Sequence, residues 1–456
     1  MPGVHPFQAI VYAQRRDVSS VIAPPYDVLD AAGKARLLAL DPDNIAGVDL
    51  PHVPAKSLGP PEAYARAAGA LQSMLERGVL ARQPGPVMIA YRQTFAGPDG
   101  KTPVQRSGMA CVIDAVAFGP RDGGGVLPHE QTFSGPKEDR LALMRATRAQ
   151  LSPVFGLVAD ERGEADAAVR GAMADRPPDL IARTTETDGT TTLHEAWIIA
   201  DNSAIAEYQR SVRGQDVLIA DGHHRYTTAL TYAQEVNAPA GHPSRRVLAV
   251  LVSMSDPGLM IRPTHRVLAG MSGWSMEAFV RASAGVLSVR PAPGTGPAAL
   301  LGLEREMSAM TMPPPPLPRT VLGLYDYASG RAYTAHLVKA DPLAATNADK
   351  PRAWRELDVA IVQHAIVEGV CVPTLNDGRA VQWAFPHTLD EMAAIGRGQA
   401  VSSGGGAGFV AQLGVVVRPT PLSAVRECAR AGVVMPQKST FFFPKLATGM
   451  FLHGLE

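Results

Sequence analysis

The run Val217-Leu218-Ile219-Ala220-Asp221-Gly222-His223-His224-Arg225-Tyr226 constrains the fold of this chain more than any other segment. Four apolar residues make a buried strand, Gly222 permits a tight reversal, and the amphipathic stretch from Tyr226 begins a helix. A strand that reverses into a helix aims backbone N–H groups and the positive end of the helix dipole at one point, which suits a phosphate or carboxylate. Arg225 adds a bidentate fork and the two imidazoles add donors, while Asp221 could cap the helix, hold a metal or orient a histidine. The plain alternative is a capped turn whose histidines satisfy buried carbonyls. Five polar side chains between residues 221 and 226 weigh against it.

Around this segment, β-branched runs at 87–91, 109–116, 153–158, 192–199, 217–220, 247–252, 320–325 and 409–417 read as strands. Helical periodicity falls at 34–40, 62–77, 140–149, 164–174, 204–213, 226–236, 276–284, 300–309, 355–368 and 389–397. The expected class is α+β, or mixed α/β, without internal repeats. A length of 456 residues is about three times the usual ~150-residue domain, so two or three units are expected. We place an N-terminal α+β region at 1–240, ending in the strand–turn–helix, and a C-terminal α+β region at 241–456. Breaks are expected at the Pro/Gly-rich 291–297 and the tetraproline Pro313–Pro316. Ser402 to Gly406 reads as a flexible loop and lacks the Lys-Ser/Thr ending of a P-loop.

Lys plus Arg and Asp plus Glu both number 43, so no global charge attracts nucleic acid or a membrane surface, and an anion must be held locally. Cys111, Cys371 and Cys428 are too far apart for a Cys-x-x-Cys site, which fits a reducing cytoplasm. No basic signal-like segment opens the chain. The longest apolar run, Val247–Val252, is far short of the ~20 residues that span a bilayer. A cytoplasmic protein with no membrane partner is expected; the sequence leaves the oligomeric state open.

Two further clusters carry chemistry. In the first, His129-Glu130 precedes a helix containing Lys137, Glu138, Asp139 and Arg140. Glu130 is a candidate general base or metal-orienting carboxylate, and Lys137 and Arg140 are candidate phosphate contacts; a solvated helix start is the plain alternative for Glu138 and Asp139, favoured for Glu138. The second is Pro436-Gln437-Lys438-Ser439-Thr440-Phe441-Phe442-Phe443-Pro444-Lys445, which could equally be a buried aromatic strand flanked by salt-bridged lysines. Only 8 of the 43 basic residues are Lys, and Lys137, Lys438 and Lys445 all fall in these two clusters, which suggests a role for a compact ammonium. Tyr26-Asp27 follows the rigid Pro24-Pro25, and Asp43-Asn44 with Asp49-Leu50-Pro51 reads as a strand entry. His265-Arg266 is divided between an anion site and core support. A first-shell metal on adjacent histidines is the weaker chemistry, because neighbours converge poorly on one ion; Mg²⁺ brought in by phosphates is the expected ion and no protein metal site is assigned.

Together, Pro24-Pro25-Tyr26-Asp27-Val28, Pro128-His129-Glu130-Gln131-Thr132, Ser152-Pro153-Val154-Phe155-Gly156, Asp221-Gly222-His223-His224-Arg225-Tyr226, Thr264-His265-Arg266 and Pro436 through Lys445 resemble the prokaryotic family called domain of unknown function 1015. More distantly, Gly222, His223, His224 and Arg225 resemble the Gly-x-x-Arg phosphate box of the ParB/sulfiredoxin-like superfamily. That resemblance implies a phosphate-binding core and a bound nucleoside di- or triphosphate such as ATP, ADP or CTP. His223 and His224 stand where the sulfiredoxin cysteine would be, so sulfinate reduction is not implied.

The resulting expectation is a nucleotide-dependent phosphotransferase acting on a small hydroxylated metabolite, with free serine implied by the superfamily resemblance alone. Glu130, His224 and Asp221 are its candidate catalytic residues. Gly222, His223, Arg225, His129, Lys137, Arg140, His265, Arg266, Lys438, Ser439, Thr440 and Lys445 are its candidate phosphate or nucleotide contacts. Water in place of the acceptor hydroxyl would make a phosphatase or nucleotidase of the same site. A ParB-like CTPase switch would need a DNA-binding element, and no basic recognition helix is visible.

Overall fold

The computed structural model describes residues 2–13, 16–53, 57–130, 134–174, 176–186, 188–311, 320–401 and 404–456. The chain forms two compact units, one comprising Met1–Met260 with Phe442–Glu456 and the other Ile261–Phe441. The division falls at Met260 rather than near residue 240, because Arg246–Ser253 is an inner strand of the first unit's sheet. The last residues also return to that unit.

In the first unit the described residues include a nine-stranded mixed sheet. Its order is Val126–Leu127, Val217–Asp221, Val154–Val158, Arg246–Ser253, Pro103–Asp114, Met88–Ala96, Thr191–Ile199 and Leu180–Thr185, with Val4–His5 also on Pro103–Asp114. Strand Val217–Asp221 runs parallel to Val126–Leu127 and antiparallel to Val154–Val158, with a register shift between Ile219 and Asp221. Both faces of this middle region are apolar: every residue from Val247 to Val252 is buried, as are Val217 to Ala220. Burial on two faces explains why these strands read as unbroken apolar runs. A second sheet of four short strands seats Leu452–Gly454 between Ala9–Tyr12 and Ala149–Gln150, which ties down the C-terminus.

In the second unit, Leu287–Thr295, Arg331–Leu337, Val321–Asp326, Ala411–Val416, Arg266–Ala269 and Gln382–Ala384 form an antiparallel sheet in that order. The expected break at 291–297 is instead the end of edge strand Leu287–Thr295 and the start of helix Gly296–Thr311. On an edge strand every second N–H points away from the sheet, and Pro291 and Pro293, two residues apart, fall where the register with Arg331–Leu337 shifts. The tetraproline and Ser402-Ser403 lie outside the described residues. Asp43 to Leu50, expected as a strand entry, contains the helical turn Ala46–Asp49, to which Asn44 Oδ1 is joined by the Ala46 N–H.

One helix among the described residues, Asp358–Leu375, is long and apolar enough to cross a bilayer by length and composition, and 56% of it is buried within the fold. A search for unbroken apolar runs passed over it because Gln363, His364 and Glu368 interrupt the sequence. From Ile361 to Leu375 it is wound in the wide π form, with Pro373 inside.

Candidate functional site

The strand–turn–helix forms as its residues dictate. Strand Val217–Asp221 ends at Gly222, whose φ of +91° is a left-handed conformation suited to glycine, and helix His223–Val236 follows directly. The helix thus starts three residues earlier than its amphipathic pattern implied. A Cβ at Gly222 would come within 3.0 Å of the Arg225 guanidinium. His223, His224 and Arg225 supply the first-turn amides, which have no acceptor inside the helix.

Asp221 organises the charges here, and it does not cap the helix, whose N-cap is Gly222. Its Oδ2 accepts from Arg225 Nη2 at 2.5 Å, and its Oδ1 accepts from Lys445 Nζ. Burial alone would raise this carboxyl, but Lys445 and then Arg225 hold it well below the ordinary carboxylate range. Arg225 also donates through Nη1 to the Pro153 carbonyl. Two cations thus meet on one carboxylate beside the positive end of a helix. All three side chains are between 11% and 15% exposed, so they retain access to solvent.

Lys445 reaches Asp221 through a brace that sequence reasoning did not find. The buried Arg106 donates to the Phe443 carbonyl at 2.9 Å, to the Pro444 carbonyl at 2.6 Å and to Gln93 Oε1. Gln93 in turn donates to the Lys445 carbonyl at 2.9 Å. Arg106 also lies 4.6 Å from the Phe155 ring, and burial depresses its pKa to about 10. The one signal in the sequence is an arginine beside the apolar run that begins at Met109.

Two histidines pack edge-on beside the turn, with ring centroids of His129 and His223 4.7 Å apart. His129 Nδ1 donates to the Ile219 carbonyl at 2.6 Å, so the hydrogen of the neutral ring sits on Nδ1. Its Nε2 lies 3.7 Å from Glu130 Oε1. The His129 backbone N–H donates to His223 Nε2 at 3.3 Å. Burial lowers the His223 pKa to about 3, with His129 adding to the effect, so this imidazole is a neutral acceptor. His224 is half-buried in the same first turn. Gln131, Thr132 and Phe133 lie outside the described residues.

Arg140, expected to contact phosphate, is instead a buried structural cation. Its Nε and Nη2 donate to Asp139 Oδ2 at 2.8 and 2.5 Å, Nη1 donates to the Asp49 carbonyl at 2.5 Å, and its guanidinium lies 4.1 Å from the Tyr26 ring. Asp139 does not follow the plain alternative of a solvated helix start: it is fully buried and also accepts from His52 Nε2 at 2.6 Å and Tyr64 Oη at 2.7 Å. Burial would raise its pKa, and Arg140 with the Tyr64 and His52 hydrogen bonds lowers it. Burial raises Asp49, with Arg140 opposing, and the Tyr64 hydroxyl is pushed up to about 12. Glu138 is exposed as expected, and Lys137 is half-buried.

A cavity of about 40 Å³ lies between the two arginines, lined by Tyr26, Asp49, Arg140, Ser152, Arg225 and Thr228 among others. It has room for about three waters and not for a nucleotide. Thr228 Oγ1, on its lining, is buried without a hydrogen-bond partner.

The remaining candidates belong to the second unit. His265 is fully buried, with Nδ1 accepting from the Val417 N–H at 3.3 Å and Nε2 3.6 Å from Glu304. Arg266 donates to the carbonyls of Thr264, Gln437 and Lys438 and lies 5.0 Å from the Phe385 ring. This is the support geometry, with the guanidinium spent on backbone. Ser439 Oγ donates to the Pro436 carbonyl, Thr440 is half-buried, and Lys438 is exposed at φ +55°. Among the described residues no group of three or more His, Cys, Asp or Glu side chains is placed to hold a metal ion.

A search of the curated proteins returned no match. Among solved structures, the chain is similar to a free serine kinase in complex with ADP, at 12% identity and a TM-score of 0.30, covering 72% of this chain and 89% of that one. It is similar to a conserved hypothetical protein from Pyrococcus furiosus at 12% identity and a TM-score of 0.32, covering 73% and 95%. A C-terminally truncated SbnI from Staphylococcus aureus matches at 10% identity and a TM-score of 0.32, covering 74% and 85%. The family described as "Protein of unknown function (DUF1015)" matches residues 4–360. With well over half of its length matched, this mixed α/β chain belongs to the DUF1015 family.

Proposed function

We propose that the protein is a nucleotide-dependent phosphotransferase acting on a small hydroxylated metabolite, with the phosphates held at the turn around Gly222. The observation that carries this reading is the charge arrangement at Asp221. Lys445 and Arg225 converge on one carboxylate at a helix N-terminus, which places two cations where backbone donors also converge. An incoming phosphate would share Lys445 and Arg225 with Asp221, which holds both cations in place beforehand. His223, being neutral, contributes hydrogen bonding and no charge.

Glu130 is the proposed base for the acceptor hydroxyl. His129 Nδ1 is committed to a carbonyl, so Nε2, 3.7 Å from Glu130 Oε1, is the ring nitrogen open to gain or lose a proton. A proton taken by Glu130 can therefore pass to His129 Nε2, which restores the carboxylate. Phosphoryl transfer needs positioning and neutralisation of charge more than covalent help, and Lys445 and Arg225 supply the neutralisation. Mg²⁺ would arrive on the nucleotide phosphates, since the Asp221 carboxylate is occupied by two cations.

The test is a thermal-shift screen with ATP, ADP, CTP, pyrophosphate and phosphoserine, followed by phosphoryl transfer from the nucleotide that binds to serine and other small alcohols. A ligand at 100 times its Kd stabilises the fold by about 2.7 kcal/mol. A raised midpoint with a nucleotide and label transferred to an alcohol are expected. Release of inorganic phosphate without an acceptor would make the protein a phosphohydrolase, and no shift with any phosphorylated ligand would refute the reading.

A further inference from the structure

The second unit contains a cavity of about 270 Å³ that plays no part in the proposed phosphate site. One wall is aromatic. Trp383 and Phe385, two residues apart and therefore on one face of an extended segment, hold their rings parallel to within 2° with centroids 5.9 Å apart. The opposite wall is the wide-wound helix Ile361–Leu375, whose Gln363, Val367, Glu368 and Val372 line the cavity. Their spacing of four to five residues is that of a helix bonded i to i+5, which keeps all four on one side. The exposed side of Gln437 closes the rim.

The polar groups restrict what can enter. Glu368 is held in place: Oε2 accepts from His364 Nδ1 at 2.7 Å and Oε1 from Gln363 Nε2 at 3.3 Å. A carboxylate has about four acceptor positions, so it retains capacity for a ligand's N–H groups. Neither Lys nor Arg is among the lining residues, so nothing in this cavity favours a phosphate. A site for a quaternary cation closes aromatic rings around the charge at angles to one another. Here the rings are parallel, with the Arg266 guanidinium over Phe385, so Trp383 is the ring left to offer a flat face, which suits a flat ligand. Amide side chains, as on Gln363 and Gln437, can pair with the donor–acceptor edge of a base.

We propose that this cavity binds a planar heterocycle bearing an exocyclic amine, of the amino-nucleobase class, stacked on Trp383 beside Phe385 with its amine donating to Glu368. The proposal stands independently of the phosphate site.

The experiment is calorimetry on the full chain with adenosine, guanosine and cytidine, compared with inosine and uridine, which replace or lack the amine. Nucleosides carry no phosphate, so the turn at Gly222 contributes nothing to the signal. At least one amino nucleoside is expected to saturate, about tenfold or more tighter than its counterpart without the amine. Trp383→Ala should weaken it about tenfold or more, Trp383→Phe should retain binding, and Glu368→Ala should abolish the preference for the amine. Should Trp383→Ala fail to fold, the half-exposed Glu368 variant carries the test. Failure of all three amino nucleosides to saturate at millimolar concentration would overturn the proposal. So would unchanged affinity in Trp383→Ala, equal affinity for both members of every pair, or binding of choline alone.

Discussion

Two helices of the first unit open with clusters of charged residues that read alike in sequence, and the structure gives them opposite fates. On helix Ser134–Thr147, Arg140 is 5% exposed and its hydrogen-bonding nitrogens go to Asp139 and Asp49. On helix His223–Val236, Arg225 shares a single carboxylate with Lys445 and remains more accessible. The difference is the ratio of carboxylates to cations. Where two carboxylates flank one guanidinium, the charge is consumed inside the fold; where two cations flank one carboxylate at a helix N-terminus, the proposed phosphate site lies.

The largest effect expected from this contrast is catalytic. Glu130→Gln keeps the shape beside His129 and removes the proton acceptor, so turnover should fall about 10²–10⁴-fold while nucleotide affinity is retained. Steady-state kinetics beside calorimetry would show the split, and loss of binding together with turnover would make Glu130 a structural residue. Next comes Arg140→Ala, which strands Asp139 in the interior. Removing one partner of a buried pair costs about 3–5 kcal/mol, readable as a lower denaturation midpoint. A stable variant that merely lost nucleotide affinity would return Arg140 to the ligand site.

Asp221→Asn should cost about 1–3 kcal/mol of stability, because two cations lose their charged partner. Its urea midpoint relative to wild type would measure this, and no change would show that Asp221 does not anchor Lys445 and Arg225. The effect that is smallest near neutral pH concerns acid. Because the folded His223 pKa is about 3 against an unfolded value of 6.5, the unfolded chain binds more protons between those values. Stability from this group is full above about pH 6.5 and is lost as pH falls toward 3, at up to about 1.4 kcal/mol per pH unit. His194, depressed to about 3, and His453, depressed to about 4, act in the same window. His223→Gln should therefore reduce the slope of stability against pH without flattening it; an unchanged slope would place the titration elsewhere.

Local chemistry was legible in the sequence and long-range pairing was not. The turn at Gly222 could be read because its strand, its reversal and its helix are adjacent residues acting through backbone geometry. Helices such as Pro61–Glu76 and Glu164–Met173 followed their periodicity closely. Lys445 on Asp221 spans 224 residues, and no periodicity records such a pair. Asp139 looked solvated because its neighbour Glu138 is, and only the arrival of His52 and Tyr64 from earlier in the chain buries it. Pro291 and Pro293 read as a break because proline excludes inner strands, and an edge position removes that objection. Helix Leu422–Arg430 was missed between Pro421 and Gly432, although its apolar positions Val425, Cys428 and Ala429 lie on one buried face.

The account depends most on the pair of cations held by Asp221, and calorimetric titration of ATP into wild type and Lys445→Ala tests it directly. Because Lys445 is more than four-fifths buried and makes a charge-assisted contact, its loss should weaken nucleotide affinity by about 1.5–3 kcal/mol, or roughly 10- to 150-fold. The variant's circular dichroism and denaturation midpoint, measured in parallel, would establish that the fold is intact. Equal affinity for ATP in wild type and a folded Lys445→Ala variant would contradict the assignment of this turn as the phosphate site.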